Sequence, residues 1–251
     1  MSTRTRRDAL LIVPALAAAP GVAAAQHGAG VGAVLERARA AMGGARAWNA
    51  IRGLHEVGTE AGRPYEHWLD FLRWGERVEI GAGPGKVIQG YNGYGLWWLP
   101  LSTPWPPGTQ QELLARARSD AFFGAYGYLF TGRFDMRSTL VGVRTGGGRS
   151  FDVARVHPEY GEPRELWFDR RTGLLGRIVD GRAHQPRTLE YSDYRRVGRV
   201  LLPFHVTTTG GGLAQPLERQ LDKVETVTPD RALFSLPAAP VTPPAARPRR
   251  P

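Results

Sequence analysis

The chain of 251 residues contains no cysteine. It therefore forms no disulfide framework, thiolate metal site or cysteine nucleophile, and it has no lipidated N-terminal cysteine. Motifs of other enzyme classes are missing too: no two histidines stand four residues apart as in zinc proteases, and no G-x-S-x-G nucleophile elbow occurs. The glycine-rich stretch Gly81–Lys86 lacks the serine or threonine of a phosphate-binding loop.

These absences predict a protein that is not an enzyme and that holds neither a metal ion nor a cofactor. The enzymatic alternative is a dispersed site on polar loops such as His157–Glu162. His55 and His67 are expected to face each other across a hairpin as a polar pair, which need not bind a metal.

No apolar run is long enough to span a bilayer, but the N-terminus has the pattern of an export signal. Arg4, Arg6 and Arg7 precede the apolar run Ala9–Ala19, and an A-x-A cleavage site ends at Ala25. The arginine pair resembles that of a twin-arginine signal. We predict a periplasmic protein whose mature chain has no transmembrane segment; the alternative interpretation is an amphipathic N-terminal helix.

The formal net charge is +10. Setting aside the two chain ends leaves about +5 for the body of the protein. Its basic residues are nearly all arginine and are spaced singly along the predicted strands, without the cluster that nucleic-acid grooves need. We therefore predict no nucleic-acid partner. The arginines are interpreted either as a solvated surface or as a face towards anionic lipid or another acidic partner.

The stretch Glu165–Phe204 is predicted to form four consecutive antiparallel strands. Glycine or proline marks each turn, and the segments between are rich in β-branched, leucine or aromatic residues. Earlier in the chain, apolar residues recur at helical spacing between Val31 and Met42. Counted along the whole chain, the pattern predicts about eleven or twelve strands and one leading helix.

A proline-rich segment interrupts the strands midway. Pro100–Gly108 carries four prolines, and Thr109–Arg118 has helical spacing. The aromatic stretch Asp120–Phe130 is interpreted as helix or lid. Residues 100–130 are therefore predicted to be a helical insertion between two sets of strands.

Aromatic side chains are concentrated around this insertion. Trp97 and Trp98 are adjacent on a predicted strand and must point to opposite faces of the sheet. Aromatic residues on both faces predict either an ordinary core or an apolar ligand cavity. The residues predicted to line such a cavity are Trp68, Phe71, Trp97, Trp98, Trp105 and Phe122, with Phe123 and Tyr126 as lid residues.

Several stretches together resemble the LolA/LolB-like lipoprotein-carrier fold and the related outer-membrane lipoprotein-sorting-protein-like domains. They are AAMGGARAWNAIRGL (Ala40–Leu54), GYNGYGLWWLP (Gly90–Pro100), Leu166–Ile178, YSDYRRVGRVLLP (Tyr191–Pro203) and PDRALFSLP (Pro229–Pro237). The resemblance covers most of Val31–Pro237, in order along the chain. No local motif identifies which arginine would correspond to the functional arginine of the carriers.

The resemblance implies a mainly β (α+β) fold: a strongly curved, unclosed antiparallel half-barrel of about eleven strands, with an N-terminal helix and a helical lid insertion over an apolar cavity. The chain then divides into a signal (1–25), a linker (26–30), one domain (31–237) and a disordered tail (238–251). The implied function is a monomeric periplasmic protein that shields a lipid or acylated ligand. The alternative is an accessory module of a cell-envelope complex, with an envelope protein as partner and an interior filled by its own side chains.

Overall fold

The computed structural model describes residues 21–130, 132–181 and 186–237. Residues 1–20 of the predicted signal (1–25) and the predicted tail (238–251) lie outside the described residues. The last five residues of the predicted signal and the predicted linker (26–30) belong to the first helix. The helices are α1 (Gly21–Ala41), α2 (Ala45–Ala50) and α3 (Gln110–Gly124), and the 3-10 turns are Gly83–Gly85, Gly127–Leu129 and Arg231–Phe234.

Twelve strands make up the rest of the described regular structure. They are β1 (Gly53–Glu60), β2 (Arg63–Asp70), β3 (Gly75–Ile80), β4 (Val87–Asn92), β5 (Leu96–Leu99), β6 (Met136–Gly146), β7 (Arg149–Pro158), β8 (Arg164–Asp169), β9 (Leu175–Asp180), β10 (Arg187–Val197), β11 (Val200–Gly210) and β12 (Leu217–Val227).

All twelve strands belong to one antiparallel sheet with the order β5-β4-β3-β2-β1-β12-β11-β10-β9-β8-β7-β6. Every neighbouring pair is consecutive in the chain except β1 and β12, which join the two halves at the centre. The edges of the sheet are β5 and β6, so the segment between them must pass from one edge to the other. The predicted mainly β, unclosed antiparallel sheet with few helices is confirmed.

Helix α1 packs against β6 and β7 and is held at its end by the central strands. The amide of Leu201 donates to the carbonyl of Met42 at 3.1 Å. Gly43 has a φ of 119°, and a Cβ there would lie 2.4 Å from the carbonyl oxygen of Arg199. Glycine is therefore required both for the backbone conformation and for the close approach of the helix end to the β10–β11 turn.

The insertion begins as the sequence predicts and continues further. Thr109 and Glu112 form a reciprocal capping box at the start of α3. The helix then runs to Gly124, six residues beyond the predicted end, because buried Phe122 and Phe123 pack on the sheet. A second difference is that β11 continues through Gly210 by pairing with β10, beyond the end of the predicted stretch Glu165–Phe204.

Candidate functional site

Residues 110–129, from the start of α3 to the end of the turn Gly127–Leu129, lie on the side of the sheet that carries the main core. We call this segment the lid and this side of the sheet the inner face. Phe122, Phe123, Tyr126 and Tyr128 of this segment are all buried. Their rings contact those of the surrounding core, with centroid distances of 5.2 Å for Trp48–Tyr126, 5.3 Å for Trp74–Phe122 and 5.9 Å for Tyr128–Phe168. The lid therefore fills the space over the inner face with aromatic side chains.

A small cavity is left between the lid and the central strands. Its volume is about 60 Å³, and Phe123 and Tyr126 of the lid face Glu56, His67 and Arg219 of the sheet across it. A water molecule occupies about 30 Å³ of liquid. In this conformation the cavity has room for about two waters and none for an acyl chain.

Three charged side chains from three neighbouring strands meet beneath the lid. Nδ1 of His67 lies 2.9 Å from Oε2 of Glu56, and Nε2 lies 3.1 Å from Oε1 of Glu76. All three residues are buried. Burial alone would lower the pKa of His67, but the hydrogen bonds to Glu56 and Glu76 outweigh it and raise the pKa to about 9. The imidazolium therefore donates both its protons to carboxylates at neutral pH and has no nitrogen free to act as a base.

A second ionic contact lies beside this triad. Nε of Arg219 donates to Oε2 of Glu60 at 2.8 Å, and its guanidinium lies 4.3 Å from the ring centroid of Tyr65. Among the described residues, the buried hydroxyl of Tyr65 has no hydrogen-bond partner, and burial holds its pKa well above the usual value. A tyrosine in this state is a neutral wall residue and does not transfer protons at physiological pH.

The lid is also tied to the sheet by polar contacts. Asp120 of α3 pairs with Arg164 of β8 and lies 3.7 Å from Arg187 of β10. The same two arginines lie 3.4 and 3.5 Å from the buried Asp180. Next to Asp120, the Ser119 hydroxyl accepts from the amide of Glu162 at 2.6 Å. We call this set of contacts the lid latch.

The described residues contain neither a cluster of metal ligands nor a helix that could span a membrane. Among them, no group of three or more histidine or acidic side chains has the arrangement needed to hold a metal ion. None of the helices in the described part of the chain combines the length and apolar character that a bilayer crossing requires.

The predicted ligand-binding residues separate into three places. Phe71, in the β2–β3 turn, and Phe122, Phe123 and Tyr126 of the lid all belong to the main core. The other four lie away from the cavity, on the opposite face and at the β5 edge of the sheet; they are Trp68, Trp97, Trp98 and Trp105.

The tryptophans outside the core have partners of their own. Trp68 and Trp97 lie on either side of Arg77, whose guanidinium is 6.0 and 5.6 Å from their ring centroids. Nε1 of Trp97 donates to the carbonyl of Phe234 at 2.9 Å. Trp98 packs edge-on against the half-exposed Trp105 at a centroid distance of 4.5 Å. The eight residues therefore do not line one common cavity, and their role in ligand binding stays a prediction.

The charged triad under the lid is the feature that sequence reasoning missed. The β1–β2 register pairs Glu56 with His67 and His55 with Trp68. The expected pairing of His55 with His67 is therefore wrong by one residue, which places the two histidines on opposite faces. The available signal was the alternation in β2, where Tyr65, His67 and Leu69 share the buried face.

No protein-family model and no curated protein matches the chain. Among solved structures, the chain is similar to a DUF1329 family protein from Desulfovibrio piger, with a TM-score of 0.50, 14% identity and coverage of 82% of this chain and 97% of that one. The fold is LolA-like. At this identity the likeness concerns the fold alone.

Two further solved structures have lower scores. An outer membrane lipoprotein-sorting protein domain from Vibrio parahaemolyticus has a TM-score of 0.48 and 11% identity, covering 77% of this chain and 90% of that one. A LolA superfamily protein from Nitrosomonas europaea has a TM-score of 0.49 and 12% identity, covering 82% and 97%.

Proposed function

We propose that the protein is a periplasmic, non-enzymatic carrier that binds a lipid or acyl chain between the lid and the inner face of the sheet. The observation that carries the proposal is the lid itself. An aromatic segment passes between the two sheet edges, and its apolar side chains cover the inner face. An acyl chain could take the place of these rings while the apolar surface of the sheet stays out of water.

Binding requires the lid to move, because the closed cavity of about 60 Å³ holds no chain. Each methylene transferred from water contributes about 0.8 kcal/mol, so a chain of about ten methylenes offsets the ordering costs of binding. The latch is suited to opening, since Asp120 and Arg187 are partly exposed and can be hydrated when they separate.

The state of His67 supports a binding role over a catalytic one. Its pKa is strongly raised, but both its nitrogens are hydrogen-bonded to carboxylates. A general base needs a free nitrogen within reach of a substrate proton. The triad is better suited to holding three strands in register beneath the lid.

The proposal can be tested by locking the lid, and the absence of cysteine makes this simple. A Cβ added at Gly161 would lie 2.8 Å from Oγ of Ser119. A disulfide needs about 3 Å between one Cβ and the opposite sulfur, so Ser119→Cys with Gly161→Cys can join α3 to the β7–β8 turn. Binding of Nile red, a neutral apolar dye, and the lipid content of the purified protein are then measured with the disulfide oxidised and reduced.

The reduced double variant is expected to bind the dye and to co-purify with lipid seen by mass spectrometry, and the oxidised form to lose most of both. The two single-cysteine variants are the matched controls and should behave alike under both conditions. Equal dye binding by the oxidised and reduced forms would place the ligand outside the lid. Absence of lipid and dye from every form would overturn the carrier proposal.

The second candidate is an accessory module of an envelope complex. It is favoured by the filled interior, in which the lid rings leave about 60 Å³ and the charges beneath them are paired. This candidate expects a protein that stays free of lipid and dye when the lid is unlocked, so the same experiment separates the two.

A further inference from the structure

Three arginines line a cleft of about 530 Å³ at one end of the central strands. Arg46 comes from α2, Arg52 precedes β1, and Arg199 lies in the β10–β11 turn. All three are exposed, and among the described residues no acidic side chain lines this cleft. The cleft is therefore a region of uncompensated positive charge.

A second cleft, of about 490 Å³, has three more arginines. Arg73, Arg118 and Arg231 line it, and its one carboxylate is Asp70. Asp70 is 2% exposed and accepts hydrogen bonds from the backbone amides of Leu72 and Arg73 at 2.8 and 3.2 Å. One carboxylate therefore faces three guanidinium groups, and the cleft keeps an excess of positive charge.

The two clefts adjoin. The amide of Phe71, next to the second cleft, donates to the carbonyl of Arg52 in the first at 2.9 Å. Arg231 of the second cleft follows Thr228 of the first by three residues. The six arginines therefore share one end of the sheet, which we call the arginine end. Arginines that are spaced singly along the chain therefore share one end of the folded sheet.

Among the described residues, the arginines of this end have few ion pairs. Within the described residues, the only ion pair of the six joins Arg73 to Asp70 at 3.6 Å, whereas Arg155 pairs with Glu165 at 2.6 Å on the sheet surface. Nε of Arg118 is buried and has no hydrogen-bond partner in the part of the chain that the structure describes. Asp230 directly precedes Arg231 in the chain, and its side chain accepts a hydrogen bond from the amide of Ala232.

Two large apolar side chains stand exposed beside the second cleft. Tyr94, in the β4–β5 turn, is 84% exposed, and Leu72, in the β2–β3 turn, is 45% exposed. Both line the same cleft as Arg73. Aromatic and aliphatic side chains among arginines are the composition that binds at the headgroup level of a bilayer.

We propose that the arginine end docks on an anionic lipid bilayer. One guanidinium group can donate hydrogen bonds to two oxygens of the same phosphate. Six such groups spread over two clefts can contact several headgroups at once. A single small anion would need these arginines to converge on one point, and they occupy two clefts. The inference goes beyond the carrier proposal and stands whether or not a ligand binds under the lid.

The test compares two variants with the same net charge. Arg46→Gln, Arg52→Gln and Arg199→Gln remove the three arginines of the first cleft. The control removes three exposed arginines elsewhere on the sheet: Arg63→Gln, Arg137→Gln and Arg155→Gln. Both keep the same chain ends, so any contribution from terminal arginines cancels. Co-sedimentation is measured with vesicles of phosphatidylglycerol in phosphatidylcholine and of phosphatidylcholine alone, at low and physiological salt.

The first variant is expected to lose about tenfold or more in partitioning to the anionic vesicles, and the control about threefold or less. Equal losses would show that net charge acts without a docking site and would overturn the proposal. Two further outcomes would also overturn it: displacement from vesicles by millimolar inorganic phosphate, which assigns a soluble anion, and selective binding to polyglutamate, which assigns an acidic polypeptide.

Discussion

Among the described residues, the charged side chains beneath the lid have partners of opposite charge, whereas most of those at the arginine end do not. Under the lid, His67 lies between two carboxylates, and Arg219 is bonded to Glu60. At the arginine end, Arg46, Arg52 and Arg199 share a cleft without an acid. Buried charges must be paired because desolvation is costly, whereas exposed charges are tolerated unpaired.

This difference separates charges that the fold needs from charges that are free for a partner. Arg133 lies near Arg52 of this end, and its pKa is lowered first by partial burial and further by the charge of Arg52. Adding positive charge near this end costs energy in the isolated protein, and an anionic partner would offset that cost. The predictions below test this division, from the largest effect to the smallest.

Replacing His67 with leucine should have the largest effect. It leaves Glu56 and Glu76 buried without their shared cation, which we expect to lower the free energy of unfolding by about 3 kcal/mol or more. Urea denaturation measures the change. His55→Leu is the matched control on the opposite face, where the ring is partly exposed and hydrogen-bonds Glu66, and should cost about 1 kcal/mol. Similar unfolding midpoints for wild type and His67→Leu would mean that the triad contributes no stability.

The same triad should make stability depend on pH. The folded pKa of about 9 exceeds the ordinary histidine value of 6.5, so the folded state holds this proton more tightly than the unfolded state. The contribution of His67, about 3 kcal/mol, is complete below pH 6.5, falls as pH rises and is lost above about pH 9. Unfolding free energies of wild type and His67→Gln at the two ends of this window test it. A His55→Gln control should keep the wild-type slope, and a flat wild-type profile would contradict the assignment.

Breaking the latch should have an intermediate effect. Asp120→Asn removes the charge that α3 presents to Arg164, a buried arginine of β8, and we expect a loss of about 1–2 kcal/mol. Nile red binding should rise with it if the latch holds the lid closed. Asp222→Asn, at an exposed position on β12, is the control and should change stability by less than about 0.5 kcal/mol. If dye binding stayed constant while stability fell, the latch would not control the entry of a ligand.

The smallest effect on stability is expected at the arginine end. Changing Arg46, Arg52 and Arg199 to glutamine should alter the free energy of unfolding by less than about 0.5 kcal/mol, since the described residues give them no ion pair to lose. The control set should lose slightly more, because Arg155 pairs with Glu165 and Arg63 donates to the Gly85 carbonyl. Thermal melts of the two variants decide the order. If the first variant were strongly destabilised, these arginines would be needed for the stability of the fold.

Much of the fold could be predicted from local patterns. The four strands predicted within Glu165–Phe204 occur as β8 to β11. Each is bounded by glycine or proline turns that act over a few residues. The pairing of β1 with β12 joins residues more than 150 positions apart, and no local pattern reports it.

The candidate site was less accessible to sequence reasoning for the same reason. The aromatic residues of the lid were recognisable, since composition alone marks them. Which of them share a space depended on the faces of β2 and β5, and Trp68 and Trp97 lie away from the lid. Slipping a strand pair by one residue exchanges its faces, so a small register error changes every predicted contact.

Composition, helical spacing and turn residues are properties of the sequence or of a few neighbouring residues. They were enough to indicate a mainly β chain with a leading helix and an aromatic insertion. The partners of the charges are long-range properties. Glu56, His67 and Glu76 meet only when three strands pair in one register, and Arg46, Arg52 and Arg199 meet only when α2 packs beside the β10–β11 turn. Coulomb energies depend on distance and burial, and both exist only in the folded chain.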